Sequence, residues 1–200
     1  EEYFVSNDPM LLKTNEFKSI FGNDYYVAVL VKNKDIFSQH SLQLIRELSN
    51  ELKDSLSYAD KVTSITDLEF TVGTEDGMTI EQIVPDEIPS DVHSLNKIKE
   101  KAYCKPYLAR KMVSKDGTMT WIMVKLRPFP EDSVWKKTSD IGPDMLTGKE
   151  TGQIISKEKY KDISPNAAGM PYLSYEKFIY LTKEMSRLFL FAFIVSIVVM

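Results

Sequence analysis

From Asp8 onward the hydrophobic positions change period repeatedly, and each change marks an element. Asp8 before Pro9 is a helix start, with the aspartate as N-cap and the proline in the first helical position. Leu11, Leu12, Phe17, Ile20 and Phe21 then form an apolar side up to Gly22. The run from Tyr25 to Val31 is almost unbroken in aromatic and β-branched residues, which predicts a central strand covered on both faces. Ser38 can cap a second helix, with Leu42, Ile45, Leu48 and Leu52 at spacings of three and four. Glu47, Glu51, Lys53 and Asp54 fall on its solvent side. Residues 60–72 read as one long strand through Val62, Ile65, Leu68, Phe70 and Val72, followed by an Asp76-Gly77 turn. Pro85 and Pro89 punctuate a linker. Leu95, Ile98 and Ala102 then predict a short helix ending near Pro106.

The clearest hairpin spans residues 107–127. Its arms are 108–113 and 119–126, and Gly117 is free to take positive φ in the turn between them. In the return arm Ile122, Val124 and Leu126 face one way and Met119, Trp121 and Met123 the other. One apolar face should pack on helices, and the other must meet another domain, a subunit or a ligand. Residues 128–168 are interrupted by Pro128, Pro130, Pro143 and Pro165 and read as irregular and exposed, with a short helix around Ile154 to Tyr160. Residues 169–173 suggest an edge strand, and Tyr175 to Arg187 an amphipathic helix with Tyr175, Tyr180, Lys183 and Arg187 as interfacial anchors. The order β-α-β-α-β-β, then a ragged segment, a strand and a helix, predicts an α+β layer of helices on a mostly antiparallel sheet. Val27, Val29, Ile45, Leu48, Ile65, Ile122 and Val124 are its expected core.

Composition narrows the function. A formal charge of −4 and a pI near 5.3 argue against non-specific nucleic-acid binding, which needs a basic face. The single cysteine, Cys104, has no partner for a disulfide or a zinc site, and no glycosylation sequon occurs. His40 and His93, at two helix starts, are expected to be exposed and neither catalytic nor metal-binding. The string from Gly142 to Glu150 mimics a phosphate loop. It fails because five residues separate its glycines, Glu150 replaces the magnesium-holding hydroxyl, and no strand precedes it. The pairs Glu75/Asp76 and Asp86/Glu87 sit in turns and offer too few ligands for calcium. The sequence thus predicts no catalytic, cofactor-binding or metal-binding residue, no enzyme activity, and a substrate site that no motif marks.

The chain opens at Glu1 without a signal-peptide pattern and closes with thirteen residues, 188–200, that carry no charge. Phe189, Phe191 and Phe193 leave that run no polar side, which favours lipid. A crossing helix needs about 20 such residues, so the run reads as the truncated start of a transmembrane helix. The competing reading is a buried C-terminal helix.

Several strings, in this order, resemble one family. They are residues 21–24 leading into the valine-rich strand, 35–38 opening the helix, 60–66, 84–89, 113–117 and 169–171. The chain is similar to the first large extracytoplasmic loop of resistance-nodulation-division (RND) superfamily transporters, especially the MMPL-type exporters of hydrophobic molecules and lipids. That resemblance implies a ferredoxin-like porter subdomain of βαβ units in a proton-driven exporter of hydrophobic or amphiphilic molecules. It also implies a location on the periplasmic side of the plasma or inner membrane. The implied partners are the membrane, the remainder of the transporter chain and the transported molecule, with a homo-oligomer as an option and no nucleic acid. The proton-carrying acids of the family lie in transmembrane helices outside this chain. The implied division is 1–23, an N-terminal helix after a first transmembrane helix; 24–127, the porter-like domain; 128–168, irregular and poorer in helix than the family pattern; 169–187, return strand and juxtamembrane helix; and 188–200, the start of a span. A membrane-anchored sensor or adhesion module and a soluble α+β enzyme with a buried last helix are the alternatives.

Overall fold

In the computed structural model, residues 8–21, 25–74, 77–104, 111–130 and 141–199 are described. The chain begins with α1 (Pro9–Phe21), β1 (Tyr26–Lys32), α2 (Gln39–Ser55) and β2 (Ala59–Thr63). A ribbon of β3 (Glu69–Thr74) and β4 (Gly77–Gln82) follows, then α3 (Val92–Tyr103) and β5 (Met119–Leu126). The remainder holds α4 (Pro143–Ile155), a 3-10 helix (Glu158–Ile163), β6 (Asn166–Ala168) and α5 (Met170–Val199).

Local chemistry sets the helix starts. The Met10 amide donates to Asp8 Oδ1 at 2.7 Å, the Ser41 amide to Ser38 Oγ at 3.3 Å, and the Ser94 amide to Asp91 Oδ1 at 2.8 Å. Each bond satisfies an amide that the first turn leaves without a partner.

The main sheet runs β2-β5-β1-β6, with every neighbouring pair antiparallel. It is two interleaved β-α-β units. In the first, α2 joins β1 to β2 and β5 lies between those strands. In the second, α4 joins β5 to β6 and β1 lies between them. The chain is therefore α+β with antiparallel sheets, as the pattern implies.

Val27, Val29 and Val31 of β1 and Ile122, Val124 and Leu126 of β5 are buried against Leu42, Ile45, Leu48 and Leu52 of α2. Ile65, also expected in the core, is buried in the turn after β2. Arg46 of α2 holds the Pro85 linker, donating to the Pro85 carbonyl at 2.8 Å and to the Asp86 carbonyl.

Four expectations need correction. Residues 60–72 are not one strand. The Ser64 hydroxyl reaches Thr66 Oγ1 at 2.7 Å and Asp67 Oδ2 at 2.5 Å, and the Asp67 amide donates to the Ser64 carbonyl at 3.1 Å. Short polar side chains offer the backbone a turn here, so β2 joins the main sheet and β3 a separate ribbon. Among the described residues of the first hairpin arm, 111–113, there is a single bridge between Val113 and Thr120, with the Trp121 amide on the Met112 carbonyl; residues 108–110 of that arm lie outside the described residues. Its turn stands, with Gly117 at φ +71°.

Residues 128–168 are the third case. Their described part is ordered into α4, the 3-10 helix and β6, so the sheet draws in residues beyond 127. Fourth, the edge strand is Asn166–Ala168 rather than 169–173. Gly169 turns the chain at φ +120°, with Tyr26 O only 2.2 Å from where a Cβ would stand, and α5 begins at Met170.

Candidate functional site

Side chains alternate along a strand, so the residues between the core positions of β1 and β5 point away from α2. The pairing register sets Leu30 opposite Trp121 and Ala28 opposite Met123. It also sets Ala168 beside Ala28, and Thr63 beside Met123. Ala28, Leu30, Trp121 and Met123 are half-buried, whereas the core positions between them are closed to solvent. The expectation of a central strand covered on both faces is thus wrong: β1 alternates buried and part-exposed positions. What results is an apolar strip across β5, β1 and β6, about 10 Å wide at the usual strand spacing, with the hydroxyl of Thr63 of β2 on its flank.

Lysines bound the strip. Lys32 pairs with Met119 at one end, and Lys125 pairs with Tyr26 and Lys61 at the other. None of the three has an ion-pair partner among the described residues. A surface with an apolar middle and cationic ends can hold an apolar or amphiphilic body by desolvation and an anionic group by charge. The sequence exposed half of this site, through Met119, Trp121 and Met123. Leu30 and Ala28 escaped notice because an unbroken apolar run hides the alternation that only the covering layer imposes.

The second feature is α5, 30 residues long and so about 45 Å from end to end. Its first turn is wedged against α4, where a Cβ on Gly148 would lie 2.3 Å from Pro171 O and 2.7 Å from Tyr175 Cβ. Farther along, the large apolar side chains from Leu188 to Ile197 are 43–68% exposed. The buried-last-helix alternative needs those side chains covered, and among the described residues nothing covers them. Among the described residues no helix is long and apolar enough to cross a membrane. The uncharged end of α5 is about 18 Å long against a hydrocarbon core of about 30 Å.

The groups that the sequence singled out for chemistry stay apart. His40 Nε2 lies 3.1 Å from Asp162 Oδ2 on the 3-10 helix, His93 is exposed in the first turn of α3, and Cys104 is exposed at its end. No group of three or more His, Cys, Asp or Glu among the described residues could hold a metal ion. In the phosphate-loop mimic, Gly142 is the N-cap of α4, and Glu150 accepts from the Ser57 amide at 2.9 Å and from its hydroxyl at 2.5 Å. That string serves packing. Asp86 and Glu87 are exposed, and Glu75 and Asp76 lie outside the described residues.

Glu51 was expected in solvent and is not. It receives the Tyr160 hydroxyl at 2.7 Å, Lys159 Nζ at 2.8 Å and Lys157 Nζ. Burial pushes its carboxyl up, but hydrogen bonds from Lys157, Lys159 and Tyr160 outweigh it and bring the pKa down to about 2. Burial first, and then the Glu51 bond, push the Tyr160 hydroxyl up to about 12. The cluster clamps the 3-10 helix to α2.

No protein-family model and no curated protein matches the chain.

Proposed function

We propose that the chain is the extracytoplasmic substrate-handling domain of a proton-driven RND-type exporter of hydrophobic or amphiphilic molecules. In this reading the split β-α-β sheet is a ferredoxin-like porter subdomain, and the uncharged end of α5 enters the membrane. The observation that carries it is the apolar, part-buried strip of Leu30, Ala28, Trp121 and Met123 with lysines at both ends. An antiparallel sheet in a stand-alone domain commonly turns polar residues to water on its second face. This one turns a tryptophan and a methionine, which suits an apolar cargo or the opposing half of a transporter. The strand order β2-β5-β1-β6, that of a split βαβ pair, supports the fold. The rigid rooting of α5 on α4 supports a helix that carries force between membrane and sheet.

The test is efflux by the intact exporter. Cells expressing it with Leu30→Asp or Trp121→Asp should accumulate a lipophilic fluorescent dye several-fold over cells with the unaltered protein, at equal expression. Unchanged accumulation for both variants removes the strip from substrate handling. Membrane entry is tested by labelling position 191 with an environment-sensitive fluorophore. Quenching by brominated lipid in vesicles is expected, and a signal unmoved by that lipid overturns membrane entry.

A further inference from the structure

The ribbon of β3 and β4 leaves the main sheet as two strands, and no third strand flanks either of them among the described residues. Two strands alone are only marginally stable, and an open strand edge is a template for another strand. We propose that β4 pairs edge to edge with β4 of a second copy of this chain. The two strands run antiparallel about a two-fold axis at Thr79, and the product is a four-stranded sheet with β3 of each copy on the outside.

The hydrogen-bond phase of the ribbon sets the position of the axis. The Ile83 amide donates to the Leu68 carbonyl at 3.1 Å, so Ile83 turns its backbone groups towards the β3 side. Backbone groups alternate in direction along an antiparallel strand, so those of Gln82, Ile80 and Met78 point away from β3. Gln82 is closed on that side, because its carbonyl accepts from Lys101 Nζ of α3 at 3.0 Å. Met78 and Ile80 are left, and Thr79 lies midway between them. An axis there sets Met78 of each copy against Ile80 of the other as hydrogen-bonded pairs. It also sets Gly77 against Glu81, so the second β4 begins one residue short of the Lys101 contact.

Side chains select the same axis. Met78 is 84% exposed and Ile80 69%, and the pairing of Gly73 with Met78 and Thr71 with Ile80 puts both on one face of the ribbon. The axis gathers two such side chains from each copy into apolar cross-strand pairs. Moving it to Ile80 would set Met78 against Gln82, whose carbonyl is already taken. Charge agrees: Glu81 is held by Lys101 at 2.7 Å and falls opposite a glycine, so no carboxylate of this edge meets another. Residues 77–82 also contain no proline or lysine, the residues that commonly guard an edge. By the same alternation the β3 edge offers Glu69, Thr71 and Gly73, none of them apolar. A contact that is the same on both copies closes at two. It uses none of the strip residues and does not rest on the exporter reading.

The test uses the full chain in maltoside micelles with Cys104→Ser as background. The axis places position 79 opposite itself in a non-hydrogen-bonded pair, with Cα atoms about 4.5 Å apart and within disulfide reach. Mild oxidation of Thr79→Cys should therefore give a covalent dimer. Gly77→Cys, set about 13 Å from its copy along the strand, should not. Ile80→Lys should leave the unfolding midpoint unchanged, since Ile80 is exposed in the single chain. It removes both apolar pairs and should weaken dimer formation, read by sedimentation, roughly tenfold or more. Equal cross-linking at 77 and 79 overturns the pairing. So does a dimer indifferent to Ile80→Lys, which would show association through 188–199 instead, and so does a chain that stays monomeric without a Thr79→Cys cross-link.

Discussion

Helix α2 meets its neighbours with Leu42, Ile45, Leu48 and Leu52, whereas α4, in the equivalent place of the second β-α-β unit, buries Thr147, Gly148, Thr151 and Ile154. The first helix fills space with side chains. The second removes side chains so that backbones can approach: Gly148 admits the Pro171 carbonyl. The buried threonines return their hydroxyls to the helix, Thr147 to the Pro143 carbonyl at 2.9 Å and Thr151 to the Thr147 carbonyl at 2.8 Å. One topological role can therefore be met by apolar volume or by close contact, and the two should fail differently when altered.

The largest effect is expected in α2. Leu48 is fully buried, so Leu48→Ala leaves a cavity and should cost about 2–5 kcal/mol by chemical denaturation. A loss below about half a kilocalorie would mean that volume is not what α2 supplies. In α4 the sign reverses, since adding one methyl should do the harm. Gly148→Ala gains helix propensity but meets backbone at 2.3 Å, and a net loss of about 1–3 kcal/mol is expected. A stabilised Gly148→Ala protein would dissolve the contrast.

Glu51 ties the two units together, because it belongs to α2 and holds the 3-10 helix that follows α4. Its pKa is lowered to about 2 in the folded chain against 4.5. The stability it supplies is therefore present above pH 4.5 and drains away as pH falls towards 2. With half-exposed lysine partners, Glu51→Gln should cost of order 1–2 kcal/mol at pH 7 and almost nothing once the pH is below about 2. Denaturation midpoints measured from pH 7 to pH 2 check this: the two proteins should converge on acidification. Curves that stay parallel would show that the ion cluster is not the clamp.

The smallest effect is a gain. Gly152 has room for a methyl, so Gly152→Ala should stabilise by up to about 1 kcal/mol. A loss there would show that Gly152 serves packing after all.

The same contrast explains what could be read in advance. α2 was legible because its leucines recur at helical spacing behind a serine cap, and β5 because its alternation is strict and follows a glycine turn. The prolines and glycines of 128–168 read as irregular, and nothing local in α4 says that a carbonyl will come to rest on Gly148. The strip was half legible, through Met119, Trp121 and Met123. Glu51 was misassigned because its partners are more than a hundred residues away.

The sequence by itself determined the α+β class, the helix starts at Pro9 and Ser38, the strands β1 and β5, the Gly117 turn, the core residues from Val27 to Val124, and the uncharged end of α5. Each rests on periodicity, capping or turn chemistry within a few residues. Only the tertiary structure decided that residues 60–72 divide between two sheets, that α4 forms and roots α5, and that β6 completes the main sheet. It also decided which face of β1 is only part-covered. Those outcomes depend on which backbone or layer arrives from elsewhere in the chain, and a local pattern of apolar and polar residues holds no record of that.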